Sequence, residues 1–122
     1  MQYQPNDPYG HFALAEAARK LGKLDEAKEM YERALQGYEK ALGADLVRTY
    51  LPALNTCGNL GRLLAHLRRP EEAMEFFQRA FAGWQEVLGL SHERCGRLER
   101  EIELVRLRLG TQFTLQLHMR ED

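Results

Sequence analysis

Four polar side chains, Asn55, Asn59, Arg62 and His66, follow one another at steps of 4, 3 and 4. On a helix those steps gather them on one narrow face, turned away from Leu60, Leu64 and Leu67. Each carboxamide there both donates and accepts hydrogen bonds. Arg62 can grip a carboxylate through two parallel hydrogen bonds. This is chemistry for holding a ligand rather than transforming one. The other candidates are poorer. His92 and Cys95 stand three apart and can face the same way on a helix, but two ligands fall short of the four a structural zinc site needs. Glu26, Glu29 and Glu32 read as a solvated helix face, with Glu29 placed to pair with Arg33 one turn on. The chain carries no glycine-rich phosphate loop, nucleophile elbow, metalloprotease helix motif or calcium loop. Neither catalysis nor a cofactor or metal is expected.

Composition points the same way. Hydrophobic residues make up 44% of the 122 and charged residues 29%, the balance of one ordinary globular domain. A formal net charge of −1 gives no electrostatic footing for nucleic acid. No apolar run approaches the roughly 20 residues that span a bilayer. The opening MQYQPNDPYG has no basic leader and no apolar core, so a secretory signal is not expected. Cys57 and Cys95 are then expected to stay reduced, in the cytoplasm.

The elements that must position the polar face are written twice. Residues 21–43 (LGKLDEAKEMYERALQGYEKALG) and 67–89 (LRRPEEAMEFFQRAFAGWQEVLG) align at an offset of 46 with nine identities in 23 positions. Where they differ, chemistry is kept, as in Met30/Phe76, Tyr31/Phe77, Leu35/Phe81 and Tyr38/Trp84. An offset in the 20–50 range marks a repeat architecture. Each copy carries an apolar stripe on the helical period: Leu24, Ala27, Met30, Tyr31, Ala34, Leu35, Tyr38, then Ala73, Phe76, Phe77, Ala80, Phe81, Trp84. The alanines let a neighbouring helix come close and the aromatics fill the space beside that contact. Gly37 and Gly83 lie inside these helices, where glycine costs about 1 kcal/mol relative to alanine, so a close backbone approach is expected at both. A helix precedes each copy: one opens at Asp7-Pro8 and runs through Leu14, Ala18 and Leu21, and one carries Leu60, Leu63, Leu64 and Leu67. A fifth, from about Ser91 to Gly110, bears Leu98, Ile102, Val105 and Leu109.

These motifs resemble the tetratricopeptide repeat family, and within it the kinesin light chain type. The likeness rests on Asn59-Leu60-Gly61-Arg62-Leu63-Leu64, on Leu21-Gly22-Lys23-Leu24-Asp25-Glu26-Ala27 at the turn, and on Tyr31-Glu32-Arg33-Ala34-Leu35. Ala41-Leu42-Gly43 and Leu88-Gly89-Leu90-Ser91-His92 are similar to the linker of that type. The resemblance implies an all-α solenoid of helix-turn-helix units, a right-handed superhelix. Residues 1–110 would hold repeat 1 at about 8–43, repeat 2 at about 45–89 and a further helix at about 92–109, with a tail over 111–122. It also implies a non-catalytic adaptor that binds a peptide segment of a partner protein in a groove lined by the first helix of each unit. Asn59 matches an asparagine that commonly holds the backbone of a bound peptide in this family. Two departures stand out. Arg68 replaces the turn glycine of the second unit, which is expected to alter that turn. About four extra residues fall between Ala44 and Thr56, with Pro52 among them, so a broken or kinked helix is expected there.

Projecting the polar face back by 46 gives Tyr9, Ala13, Glu16 and Lys20, and projecting it forward by 42, the spacing that the Ser91-His92 linker suggests, gives Arg97, Glu101, Leu104 and Arg108. The expected peptide-binding set is Glu16, Lys20, Asn55, Asn59, Arg62, His66, Arg97 and Arg108. Its basic centre and far end favour an acidic segment. Phe113, Leu115, Leu117 and Met119 alternate with polar residues, the period of a strand. Such a tail could cover the open end of the stack, fill the chain's own groove or dock on a second copy. Self-association into a homo-oligomer is therefore the alternative expectation.

Overall fold

The computed structural model describes the backbone of residues 7–121 and side chains as far as Thr111. Five helices follow in order: α1 (Pro8–Lys20), α2 (Leu24–Val47), α3 (Leu51–His66), α4 (Pro70–Leu88) and α5 (Glu93–Glu121). Each packs on the next along the chain. No strand occurs among the described residues.

The ends of α1 are set by local chemistry. Pro8 occupies its first turn, and the Asp7 carboxylate accepts a hydrogen bond from the Tyr9 N–H at 3.0 Å. Arg19 and Lys20 lie in its last turn, where the helix dipole favours cations. The chain then reverses through Gly22, which takes a φ of 78°. The Leu21 and Lys23 N–H groups donate back to Ala17 and Ala18 at 3.1 and 2.9 Å. The turn between α3 and α4 repeats this arrangement 46 residues later. Leu67 and Arg69 donate to Leu63 and Leu64, both at 2.9 Å, and Arg68 itself takes a φ of 62°. The expectation of an altered turn is thus corrected. Hydrogen bonding and helix packing on both sides outweigh the roughly 1–2 kcal/mol that a side chain costs in the left-handed region.

The extra residues between the units break the chain in two places. α2 kinks at Gly43, whose φ of 84° and ψ of 168° are not helical, and ends at Val47. Pro52 does not interrupt a helix. It lies in the first turn of α3, where a missing N–H leaves no hydrogen bond unmade.

The core is the duplicated seam. Ala27, Tyr31, Ala34 and Tyr38 are buried in α2, and Ala73, Phe77, Ala80 and Trp84 at the matching positions of α4. Cys95, Leu98, Ile102 and Val105 bury the inner face of α5. Both seams need a side chain missing opposite them. A methyl group built on Gly83 would sit 2.2 Å from Leu54 Cδ2, and one on Gly37 would sit 2.8 Å from Pro8 Cγ. Leu54 is the repeat equivalent of Pro8, so both units use the same close contact. Gly61 is likewise required, since its methyl group would lie 2.8 Å from the Phe77 ring.

Two sequence expectations need correction. In α1 the buried positions are His11, Ala15 and Ala18, while Leu14 is exposed and Leu21 lies in the turn. The short alanines make the closer helix contact, and Leu14 sits 100° around the helix from Ala15. The second correction concerns residues 113–119: the backbone there is helical, and α5 continues past Gly110 to Glu121. A strand must find a pairing partner for its backbone groups, whereas a helix satisfies them within itself.

Candidate functional site

The polar face of α3 lies between α1 and α5, and it is bonded to both. Asn59 Nδ2 donates to Glu16 Oε1 of α1 at 3.1 Å. The Tyr31 hydroxyl of α2 donates to the same oxygen, and Arg19 Nη2 donates to Glu16 Oε2 at 2.9 Å. On the other side Arg62 Nη1 donates to Asn59 Oδ1 at 3.1 Å. Arg62 Nε donates to both oxygens of Glu101 on α5, at 3.0 and 2.9 Å. Arg97 Nε completes the line, donating to Glu101 Oε1 at 3.0 Å. A continuous polar chain thus runs Arg19, Glu16, Asn59, Arg62, Glu101, Arg97 across three helices. Two carboxylates alternate with cations and an amide, so no charge stands without a counter-charge beside it.

A cleft of about 460 Å³ opens over this line. Arg19, Asn59, Arg62, His66 and Arg97 line it, with Leu24 and Leu63 as an apolar floor. Toward the start of α3, Arg94 Nη1 donates to Asn55 Oδ1 at 3.1 Å, and its guanidinium lies 4.5 Å from the centre of the Trp84 ring.

Burial alone raises the pKa of Glu16, but the hydrogen bonds from Tyr31 and Arg19 outweigh it and hold the carboxyl below the usual range. The Tyr31 phenol is pushed up to about 12, first by burial and then by its bond to Glu16. Glu16 is therefore a fixed anion at neutral pH and Tyr31 a fixed donor.

Of the residues expected from sequence, Glu16, Asn59, Arg62 and Arg97 come together in one network. Asn55 sits beside it through Arg94. His66 stands exposed at the rim of the cleft, and Lys20 is exposed at the end of α1, close enough to help lower the Glu16 pKa. Arg108 lines a second groove of about 710 Å³ with His66, Pro70, Leu104 and Leu107, and a small hollow of about 170 Å³ with Arg62 and Glu101. Sequence reasoning missed Arg19, Arg94 and the hydroxyl of Tyr31. The last was legible in principle, because a buried tyrosine needs a partner for its hydroxyl. Arg62 does hold a carboxylate, but it is the chain's own Glu101.

No group of three or more potential metal ligands is found among the described residues. His92 Nδ1 accepts from the Arg94 N–H at 3.1 Å, which caps the start of α5, and Cys95 is buried. No helix among the described residues is long and apolar enough to cross a membrane.

The sequence profile of the tetratricopeptide repeat matches residues 13–45 and 53–94. The chain belongs to the tetratricopeptide repeat family. The first matched segment lies within the helix pair α1–α2 and the second covers most of α3–α4 and reaches the start of α5, which makes the fold a short α-solenoid with α5 stacked on the second pair. Repeats of this family generally mediate protein–protein interaction and are not catalytic modules. No curated protein matches the chain significantly.

Proposed function

We propose that this repeat domain is a peptide-binding adaptor whose groove, along α1, α3 and α5, takes a short acidic segment of a partner protein. The reading rests on one observation above all. The first helices of successive units present Glu16, Asn59, Arg62 and Arg97 in a single line under an open cleft. Asn59 keeps one N–H for a peptide carbonyl. Arg97 is 60% exposed and, with Arg19 and His66, offers donors to acidic side chains. Leu24 and Leu63 offer apolar contact below them. A compartment that keeps Cys57 and Cys95 reduced, the cytoplasm, suits such a protein. The test is a peptide array probed with the wild type and with an Asn59→Ala, Arg62→Ala double variant. The double variant should lose the acidic peptides that the wild type retains. Equal binding by both would refute the groove.

A second reading has its own support. Leu104 and Leu107 on α5 are 61% and 58% exposed beside Ala65 and Pro70, an apolar surface suited to self-association. Sedimentation of the full chain, of a form ending at Gly110 and of a Leu104→Glu, Leu107→Glu variant separates the two readings. A dimer lost in either altered form supports self-association, and a monomer in all three opposes it.

A further inference from the structure

One anion already stands against Arg62, and it is part of the chain. Glu101 is 18% exposed and holds two arginines at once, Arg62 through both oxygens and Arg97 through one. Its partner groups are the same ones an incoming acidic side chain would use. Glu101 takes the single Nε hydrogen of Arg62 and Asn59 one hydrogen of Nη1, so a ligand carboxylate reaching Arg62 must displace Glu101 or bind the remaining Nη hydrogens beside it against like charge.

We propose that Glu101 is an intramolecular competitor that sets the acidity threshold of the groove. The proposal rests on the peptide-binding reading and deepens it. Exchanging one carboxylate for another at Arg62 yields little net attraction. A segment with a single acidic residue therefore gains little from this grip, whereas clustered acids that also engage Arg97, Arg19 or His66 gain more. Glu101 thereby disfavours weakly acidic sequences and selects strongly acidic ones. It also ties α5 to α3, so displacing it loosens the junction between the second unit and the last helix. Glu16 plays a different part. It bonds Asn59, Tyr31 and Arg19 and forms no hydrogen bond or ion pair with Arg62, and it serves as the fixed wall of the groove.

The experiment is a fluorescence-anisotropy titration at low salt with two labelled decapeptides. One carries four aspartates or glutamates and the other the corresponding asparagines and glutamines. Each is titrated against the wild type, Glu101→Gln, Arg62→Ala and the Glu101→Gln, Arg62→Ala double variant. Glu101→Ala is measured in parallel, because alanine favours the helix and keeps α5 folded if the amide does not. Glu101→Gln should bind the acidic peptide roughly tenfold more tightly than the wild type, the effect of removing one charge at contact range near the surface. Affinity for the neutral peptide should be unchanged, and most of the gain should vanish without Arg62. Equal or weaker binding by both Glu101 variants, with Arg62→Ala still weakening the wild type, overturns the competitor role and leaves the groove reading standing. A gain of the same size with and without Arg62 also overturns it, since that is a general charge effect. If no form binds the acidic peptide, the groove reading fails and this inference falls with it.

Discussion

Replacing Gly83 by alanine should destabilise the domain, although alanine is the better helix former. Within a helix the change from glycine to alanine is worth about 1 kcal/mol in favour of folding. At Gly83 the new methyl group would lie 2.2 Å from Leu54 Cδ2, 2.9 Å from Leu54 Cδ1 and 2.5 Å from the Arg48 carbonyl oxygen. Leu54 is buried and cannot swing away, and a carbonyl oxygen can retreat only if the backbone after α2 moves with it. Overpacking of this kind costs about 1–3 kcal/mol, and contacts this short belong at the upper end. The net loss should be about 1–2 kcal/mol, a fall in Tm of roughly 3–10 °C for a domain of this size. Gly110→Ala is the control: nothing lies within 4 Å of the added methyl group, so the variant should gain up to about 1 kcal/mol. Gly37→Ala should fall between them, because its 2.8 Å contact is with the Pro8 ring at the first residue of α1, which has room to shift. Thermal and urea unfolding followed by circular dichroism measure all three. A Gly83→Ala protein as stable as the wild type would refute the close packing of α3 on α4 described above.

Arg68→Gly should stabilise the domain by about 0.5–1 kcal/mol, since it removes left-handed strain at a cost in unfolded-state entropy, and urea unfolding reads the change. Stability should also depend on pH at both extremes. The folded pKa of Glu16 is lowered, so its contribution is present above the ordinary carboxylate range near 4.5 and is lost as pH falls through the folded value; Glu16→Gln should flatten that acid limb of a stability–pH curve. The folded pKa of Tyr31 is raised to about 12 from 10.0, so its contribution is intact below pH 10 and is lost as pH rises from there to about 12, a limb that Tyr31→Phe should flatten. Cys57 and Cys95 are both buried and burial pushes the Cys57 thiol up to about 11, so neither should react with a thiol reagent at pH 8 until the domain unfolds.

The repeat made most of the architecture legible. Matching small and aromatic residues 46 apart located both seams, and the paired glycines at 37 and 83 announced a close contact before its partner was known. Pattern reading failed where a local rule met a stronger tertiary one. Arg68 has no preference for a positive φ, yet the hydrogen bonds at Leu67 and Arg69 impose it. The alternation from Phe113 to Met119 suits a strand, but in this all-helical stretch the backbone closes its hydrogen bonds within α5. At the site, one face of α3 could be read from spacing alone, and projection back by 46 and forward by 42 placed Glu16 and Glu101 beside it. What spacing could not supply is partner choice. That Arg62 pairs with Glu101 rather than standing open, and that Tyr31 turns its hydroxyl to Glu16, depend on how far apart three helices lie.

The central claim is that a partner's acidic segment lies across α1, α3 and α5 and engages Asn59 and Arg62. Side-chain NMR of isotopically labelled protein, titrated with the acidic decapeptide, tests it most directly. The account predicts that the Asn59 amide and the Arg62 Nε–H resonances move first and farthest, with Arg97 close behind. Movements confined to the outer faces of α2 and α4, or to the surface around Leu104 and Leu107, would contradict it.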